Sequence, residues 1–138
     1  MSKSDPSDMS RINLADDADE VMKKVKKAKT DPEPLPSERA GLEGRAEALN
    51  LVTIYAALTD SSVDAVLAEH GGQGFGHFKP LLGEALVETL KPISARFTHL
   101  LDDREALDAI LARGAAQARE RAVPTLDPAY RALGLVRG

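Results

Sequence analysis

The sequence contains no cysteine and no tryptophan, and aromatic residues make up only 4% of its 138 positions. Without cysteine there is no disulfide framework, no thiolate nucleophile and no thiolate metal site. No apolar run approaches the length needed to span a bilayer, and Met1 to Ser10 is polar with no signal-peptide pattern, so no membrane partner is expected. A formal net charge of −4 excludes a chain that binds nucleic acid by its overall charge. DNA is not expected as a partner, and any contact with RNA must come from a local patch. The three histidines, His70, His77 and His99, lack metal-ligand spacing and no acidic cluster joins them, so no metal site is expected. What is present is 43% hydrophobic and 29% charged, too apolar for a disordered chain. It suits one soluble, cytoplasmic, largely helical protein.

The pattern along the chain is all-α: an extended loop followed by a helical bundle. Asp16 or Asp17 starts the first helix, and Asp17 with Glu20 has capping-box spacing. Acids fill its first turn and lysines its end (Lys23, Lys24, Lys26, Lys27, Lys29), which complements the helix dipole. Asp19–Lys23 and Glu20–Lys24 are spaced as i,i+4 pairs. Pro32, Pro34 and Pro36 end this helix and suggest an exposed, stiff connector. Further helices are expected from Glu47 to Leu58, from Ser61 or Ser62 to just before Gly71, and from about Phe78 to Leu101. Another begins at Asp102 or Asp103, with Leu107, Ile110, Leu111, Ala115 and Ala118 facing inward, and a short one covers Asp127 to Leu133. Pro92 should kink the longest helix. The divisions read as residues 1–15 (loop and connector), 16–31 (basic-ended helix), 32–46 (Pro-rich connector) and 47–138 (helical domain).

The sharpest chemical feature is Met1-Ser2-Lys3-Ser4. An ammonium flanked by hydroxyls on a loop suits polyphosphate, because it supplies compact charge and hydrogen-bond donors together. Such a loop can close on charge that develops as pyrophosphate leaves. The Gly71-Gly72-Gln73-Gly74-Phe75-Gly76 turn follows a helix rather than a strand, so it fails the context test for a dinucleotide fingerprint. Close backbone approach and helix capping account for its glycines better. Tyr55, Phe75, Phe78 and Phe97 read as core aromatics.

Met1-Ser2-Lys3-Ser4-Asp5-Pro6 resembles the signature loop of class I aminoacyl-tRNA synthetases, and in particular the tryptophanyl-tRNA synthetase family. The resemblance continues in order through Arg11-Ile12-Asn13-Leu14, the stretch from Lys24 to Asp31, Asn50-Leu51-Val52-Thr53-Ile54-Tyr55 and Gly74-Phe75-Gly76-His77-Phe78-Lys79. Leu90-Lys91-Pro92-Ile93, Gly114-Ala115-Ala116-Gln117-Ala118 and Leu133-Gly134-Leu135 extend it to the end. Ser7 stands where asparagine is common in the family, and Ala46 where proline is common.

The resemblance implies activation of tryptophan by ATP, with Mg accompanying the ATP, and transfer to tRNA(Trp) by a homodimeric parent enzyme. It makes Lys3 the residue acting on the phosphates, assisted by Ser2 and Ser4. It implies an anticodon-binding type of helical domain, with Lys23, Lys24, Lys26, Lys27 and Arg113 as tRNA contacts. A solvated helix end accounts for the same lysines without any RNA. The family's Rossmann-type catalytic body is expected upstream of the signature loop, so these 138 residues alone are expected to be inactive. The alternative is a free-standing helical tRNA-binding or regulatory module descended from a synthetase.

Overall fold

The computed structural model describes residues 6–135. All regular structure among them is helical: α1 (Ala18–Lys27), α2 (Ala46–Leu58), α3 (Val63–His70), α4 (Phe75–Asp102) and α5 (Arg104–Ala132), with short 3-10 turns at Asp8–Ser10 and Arg39–Leu42. The chain divides near Phe97 into two compact units.

Local chemistry sets the helix starts. The Asp17 carboxylate accepts from the Glu20 backbone N–H at 2.8 Å, and the Glu20 carboxylate accepts from the Asp17 N–H at 3.4 Å. This reciprocal box satisfies donors that the first turn leaves orphaned. Ser62 Oγ caps α3 by accepting from Ala65 N–H at 3.1 Å, and Asp103 caps α5 by accepting from Ala106 N–H at 2.9 Å.

The core lies in the first unit. Val21 and Val25 of α1 meet Ala48, Leu51, Val52 and Ala56 of α2, Val66 and Leu67 of α3, and Phe75, Phe78, Leu82 and Leu86 of α4. The α4 positions recur every three or four residues, so one stripe of that helix turns inward. Burying each large apolar side chain contributes about 1.5–3 kcal/mol.

The Pro-rich segment differs from the exposed connector its composition suggests. Leu35 and Leu42 are buried in the core. Leu35 donates its N–H to Gln73 O at 2.9 Å and accepts from Gly72 N–H at 2.7 Å, so its backbone is strapped to the turn after α3. Two of the turn's glycines are needed for this. Gly72 sits at φ +81°, and a Cβ at Gly71 would come 2.6 Å from Ser37 Oγ and from Leu67 O. The other end is clamped by Arg45. Its guanidinium meets both Asp31 carboxylate oxygens, at 2.6 and 3.0 Å, and donates to the Pro34 and Glu33 carbonyls at 3.0 Å.

Three further expectations need correction. α4 begins at Phe75, inside the glycine turn, rather than at Phe78. α5 continues without a break through Pro124 and Pro128, so Asp127 to Leu133 is not a separate helix. Its neighbours are mostly alanine, leucine and arginine, strong helix formers that carry the helix past two missing N–H donors. The inward face expected of α5 is also absent. None of its side chains is buried, and Leu111 is 60% exposed.

Candidate functional site

Ser2, Lys3 and Ser4 lie outside the described residues. The segment immediately after them is fastened by a network on α1. Lys24 Nζ lies 2.8 Å from Asp8 Oδ2 and 2.6 Å from Asp16 Oδ2. Asn13 Nδ2 donates to Asp8 at 2.9 Å and to Asp16 at 3.3 Å, and the Asn13 backbone N–H donates to Asp16 at 2.8 Å. Arg11 Nε sits 3.4 Å from Asp8. Ile12 packs against the core beside this network. The Arg-Ile-Asn run thus has a physical task, which is to tie the stretch entering from the amino end to α1.

The charges respond accordingly. Hydrogen bonds from Lys24, then from Asn13, pull the Asp8 carboxyl down to about 2. Burial works against the Asp16 carboxylate, yet Lys24 and Asn13 together hold its pKa below the usual range. Hydrogen bonding to Asp16 and then Asp8 raises Lys24.

The lysine cluster is therefore not one surface. Lys24 is 4% exposed and committed to two carboxylates, which leaves no face for an RNA phosphate. Glu20, expected to pair with it, serves the capping box instead. Lys29 pairs with Glu47 at 2.9 Å. Lys27 is exposed. Lys23 and Lys26 line a groove of about 460 Å³ together with Met22, Phe75, Gly76, Lys79 and Pro80. Lys79 Nζ donates to Ala28 O at 2.7 Å and to Lys26 O at 3.5 Å, and lies 5.9 Å from the Phe75 ring centroid. Burial lowers its pKa. In the second unit, Arg113 is exposed on α5, as are Arg119, Arg121 and Arg131.

A sequence model of the class I tRNA synthetases (W and Y) matches residues 1–91. The chain belongs to this synthetase family. The tryptophan–tRNA ligase of Caulobacter vibrioides is 57% identical over 134 residues, 97% of this chain and 39% of that protein. That of Rhizobium meliloti is 54% identical over 137 residues, 99% of this chain and again 39% of the relative. Among solved structures, the crystal structure of tryptophanyl-tRNA synthetase from Mycoplasma pneumoniae superposes with a TM-score of 0.71 at 26% identity, over 99% of this chain and 42% of that one. The synthetase chain thus spans about 39% of the length of these curated relatives, in their C-terminal part.

Several family motifs of this synthetase chain now have structural roles. Phe78 of the Gly-Phe-Gly-His-Phe-Lys turn fills the core, and Lys79 closes the carbonyl end of α1. Asp31 of the Thr-Asp pair holds Arg45. The Asp8–Lys24–Asp16 network was not legible beforehand, since its partners lie eight and sixteen residues apart and no local periodicity links them. Among the described residues no group of three or more His, Asp or Glu could hold a metal ion. No single described helix is long and apolar enough to cross a membrane.

Proposed function

We propose that this chain is the part of a tryptophan–tRNA ligase that supplies the ATP-phosphate loop and the tRNA-facing helices. The observation that carries the reading is the agreement of nearly the whole chain with tryptophan–tRNA ligases at 54–57% identity. The parent reaction is activation of tryptophan by ATP with its Mg, followed by transfer to tRNA(Trp), in the cytoplasm and in a homodimer.

Within that reaction Lys3 acts on the ATP phosphates, with Ser2 and Ser4 donating hydrogen bonds beside it. The ammonium gains most where charge builds on the departing pyrophosphate, so it lowers the barrier more than it tightens ground-state binding. The network joining Asp8, Asn13 and Asp16 to Lys24 supports this role, because a phosphate loop needs a fixed point from which to close. Lys23, Lys26 and Lys27 on α1 and Arg113 on α5 offer positive charge to tRNA phosphates, each contact adding salt-dependent affinity. Lys24 drops out of that set.

A chimera tests the reading. These 138 residues replace the matching part of the Caulobacter vibrioides ligase, and tryptophan-dependent ATP–pyrophosphate exchange and tRNA charging are measured. Retained activity is expected, with Lys3→Ala lowering exchange by roughly 10²-fold and changing tryptophan affinity much less. A correctly folded chimera without exchange activity, or an unaffected Lys3→Ala variant, would overturn it.

A further inference from the structure

We infer that the groove between α1 and the start of α4 receives one unstacked nucleotide of the bound RNA, its base on the apolar floor and its phosphate against Lys23 and Lys26. This rests on the reading of the chain as a tRNA-binding part of a ligase, and assigns a specific site within it. The floor is Met22, Pro80 and the small exposed part of Phe75, a core residue that is 7% exposed, and the volume is about 460 Å³. No acidic residue lines it. Lys23 and Lys26 are three residues apart on one face of α1, so both ammonium groups overhang the same side.

Two features add to the positive field. The groove is met by the first turns of α4, a helix of 28 residues, whose N-terminal end carries partial positive charge. Gly76, in that first turn, leaves open space where a Cβ would stand, so a ligand can approach the backbone closely. The opposing influence, the carbonyl end of α1, is met by the Lys79 ammonium at Lys26 O and Ala28 O. Lys79 therefore neutralises the negative end of α1 and leaves Lys23 and Lys26 to the ligand.

A simple anion would use the lysines and leave the floor empty. An acidic peptide would do much the same. An unstacked nucleotide uses both, since every base has an apolar face that stacks on such a surface while its phosphate takes the charge. Lys24, which lies between the two groove lysines in sequence, pairs with Asp8 and Asp16 instead and does not line this groove.

The test measures binding of a tRNA(Trp) transcript by the 138-residue chain across a salt series. It compares wild type with Lys23→Gln/Lys26→Gln and with Pro80→Glu. Pro80 is exposed in the first turns of α4, where glutamate is well tolerated, so Pro80→Glu places a carboxylate in the groove while leaving the fold intact. The lysine pair is expected to weaken binding about tenfold and to lower the salt slope by about 0.7, the value for the one single-strand phosphate they hold. Pro80→Glu should weaken binding at least as much. A 4-thiouridine-substituted transcript should photocross-link to the peptide holding Phe75 to Pro80, and uridine monophosphate should compete better than inorganic phosphate.

Wild-type binding that neither variant weakens would overturn the groove and leave the ligase reading intact. Equal competition by inorganic phosphate or polyglutamate would overturn the nucleotide assignment. Failure of the wild-type chain to bind tRNA, while the chimera charges tRNA normally, would also overturn it and leave the ligase reading standing.

Discussion

Lys24 and Asp16 form an ion pair at 2.6 Å in which both side chains are withdrawn from solvent, at 5% and 8% exposure. Asp8, still 58% exposed, adds a second carboxylate to the same ammonium. One lysine of a cluster that reads as a solvated helix end is thus the fixed point for the segment that follows Lys3. Its charge is spent inside the molecule, and its near neighbours Lys23 and Lys26 face the groove.

Breaking that pair from the lysine side should cost more than breaking it from Asp8. Lys24→Met leaves the Asp16 carboxylate withdrawn from water without its cation, the situation most damaging to a buried pair. Asp8→Asn removes a partner that water can replace. The expected result is a fall of several degrees in the thermal midpoint for Lys24→Met and a smaller fall for Asp8→Asn. Equal shifts would contradict the ranking.

The same network fixes a pH dependence. Asp8 titrates at about 2 in the folded chain, below its usual 3.8, so its contribution is complete above 3.8 and is lost as pH falls towards 2. Lys24 is raised above 10.5, so its contribution is complete below that value and is lost only as pH climbs beyond it. NMR titration of the Asp8 carboxyl should give a midpoint near 2 in wild type, moving back towards the ordinary range in Lys24→Met.

His70 is 6% exposed, and among the described residues neither ring nitrogen has a hydrogen-bond partner, the Glu69 carboxylate lying 3.9 Å from Nε2. Its ring packs edge-on against Tyr55 and Phe78, with centroids 5.5 and 5.7 Å away. The aromatic contacts stabilise and the unpaired nitrogens cost. His70→Phe keeps the first and removes the second, so it should raise stability by about 1 kcal/mol in denaturant unfolding. His70→Asn loses the ring packing and should lower stability by about 2 kcal/mol. A destabilised His70→Phe chain would mean that the imidazole has a bound partner in solution.

The features legible in sequence were those settled within a turn of the chain. Asp17 with Glu20, Ser62 and Asp103 announce helix starts because their bonds close over three residues. Helical spacing along α4 marks Leu82 and Leu86, which are buried, but not where the stripe stops, since Ile93 at the same spacing is 47% exposed. Local spacing pairs Lys24 with Glu20, while tertiary structure brings Asp8 and Asp16 to it. The prolines on either side of Leu35 suggest exposure, whereas its burial depends on the turn after α3. The site split the same way. The family motifs are strings and can be read as strings, but the groove joins α1 to residues about fifty positions away.

Lys79 offers a test of how the carbonyl end of α1 is held. Its ammonium donates to Ala28 O and Lys26 O, and burial lowers its pKa. Lys79→Met preserves the stem's packing and removes both bonds. The expected loss is about 1–2 kcal/mol, with faster amide exchange confined to the last turn of α1. Uniform acceleration of exchange across α2 and α3 would show that the bond supports the whole unit instead.

Gly83 and Met22 should be strongly coupled. Gly83 is buried on α4, and a Cβ there would run into the Met22 sulfur on α1. Gly83→Ala gains helix propensity of about 1 kcal/mol. Against this, the Met22 side chain must give way, and overpacking of this kind costs about 1–3 kcal/mol. The net expectation is destabilisation, relieved when Met22 is shortened. In a double-mutant cycle read by denaturant unfolding, Gly83→Ala should therefore be harmful alone and neutral or favourable in a Met22→Ala background, with a coupling of about 1 kcal/mol. Additive effects would mean that the Met22 thioether swings aside into the groove without cost.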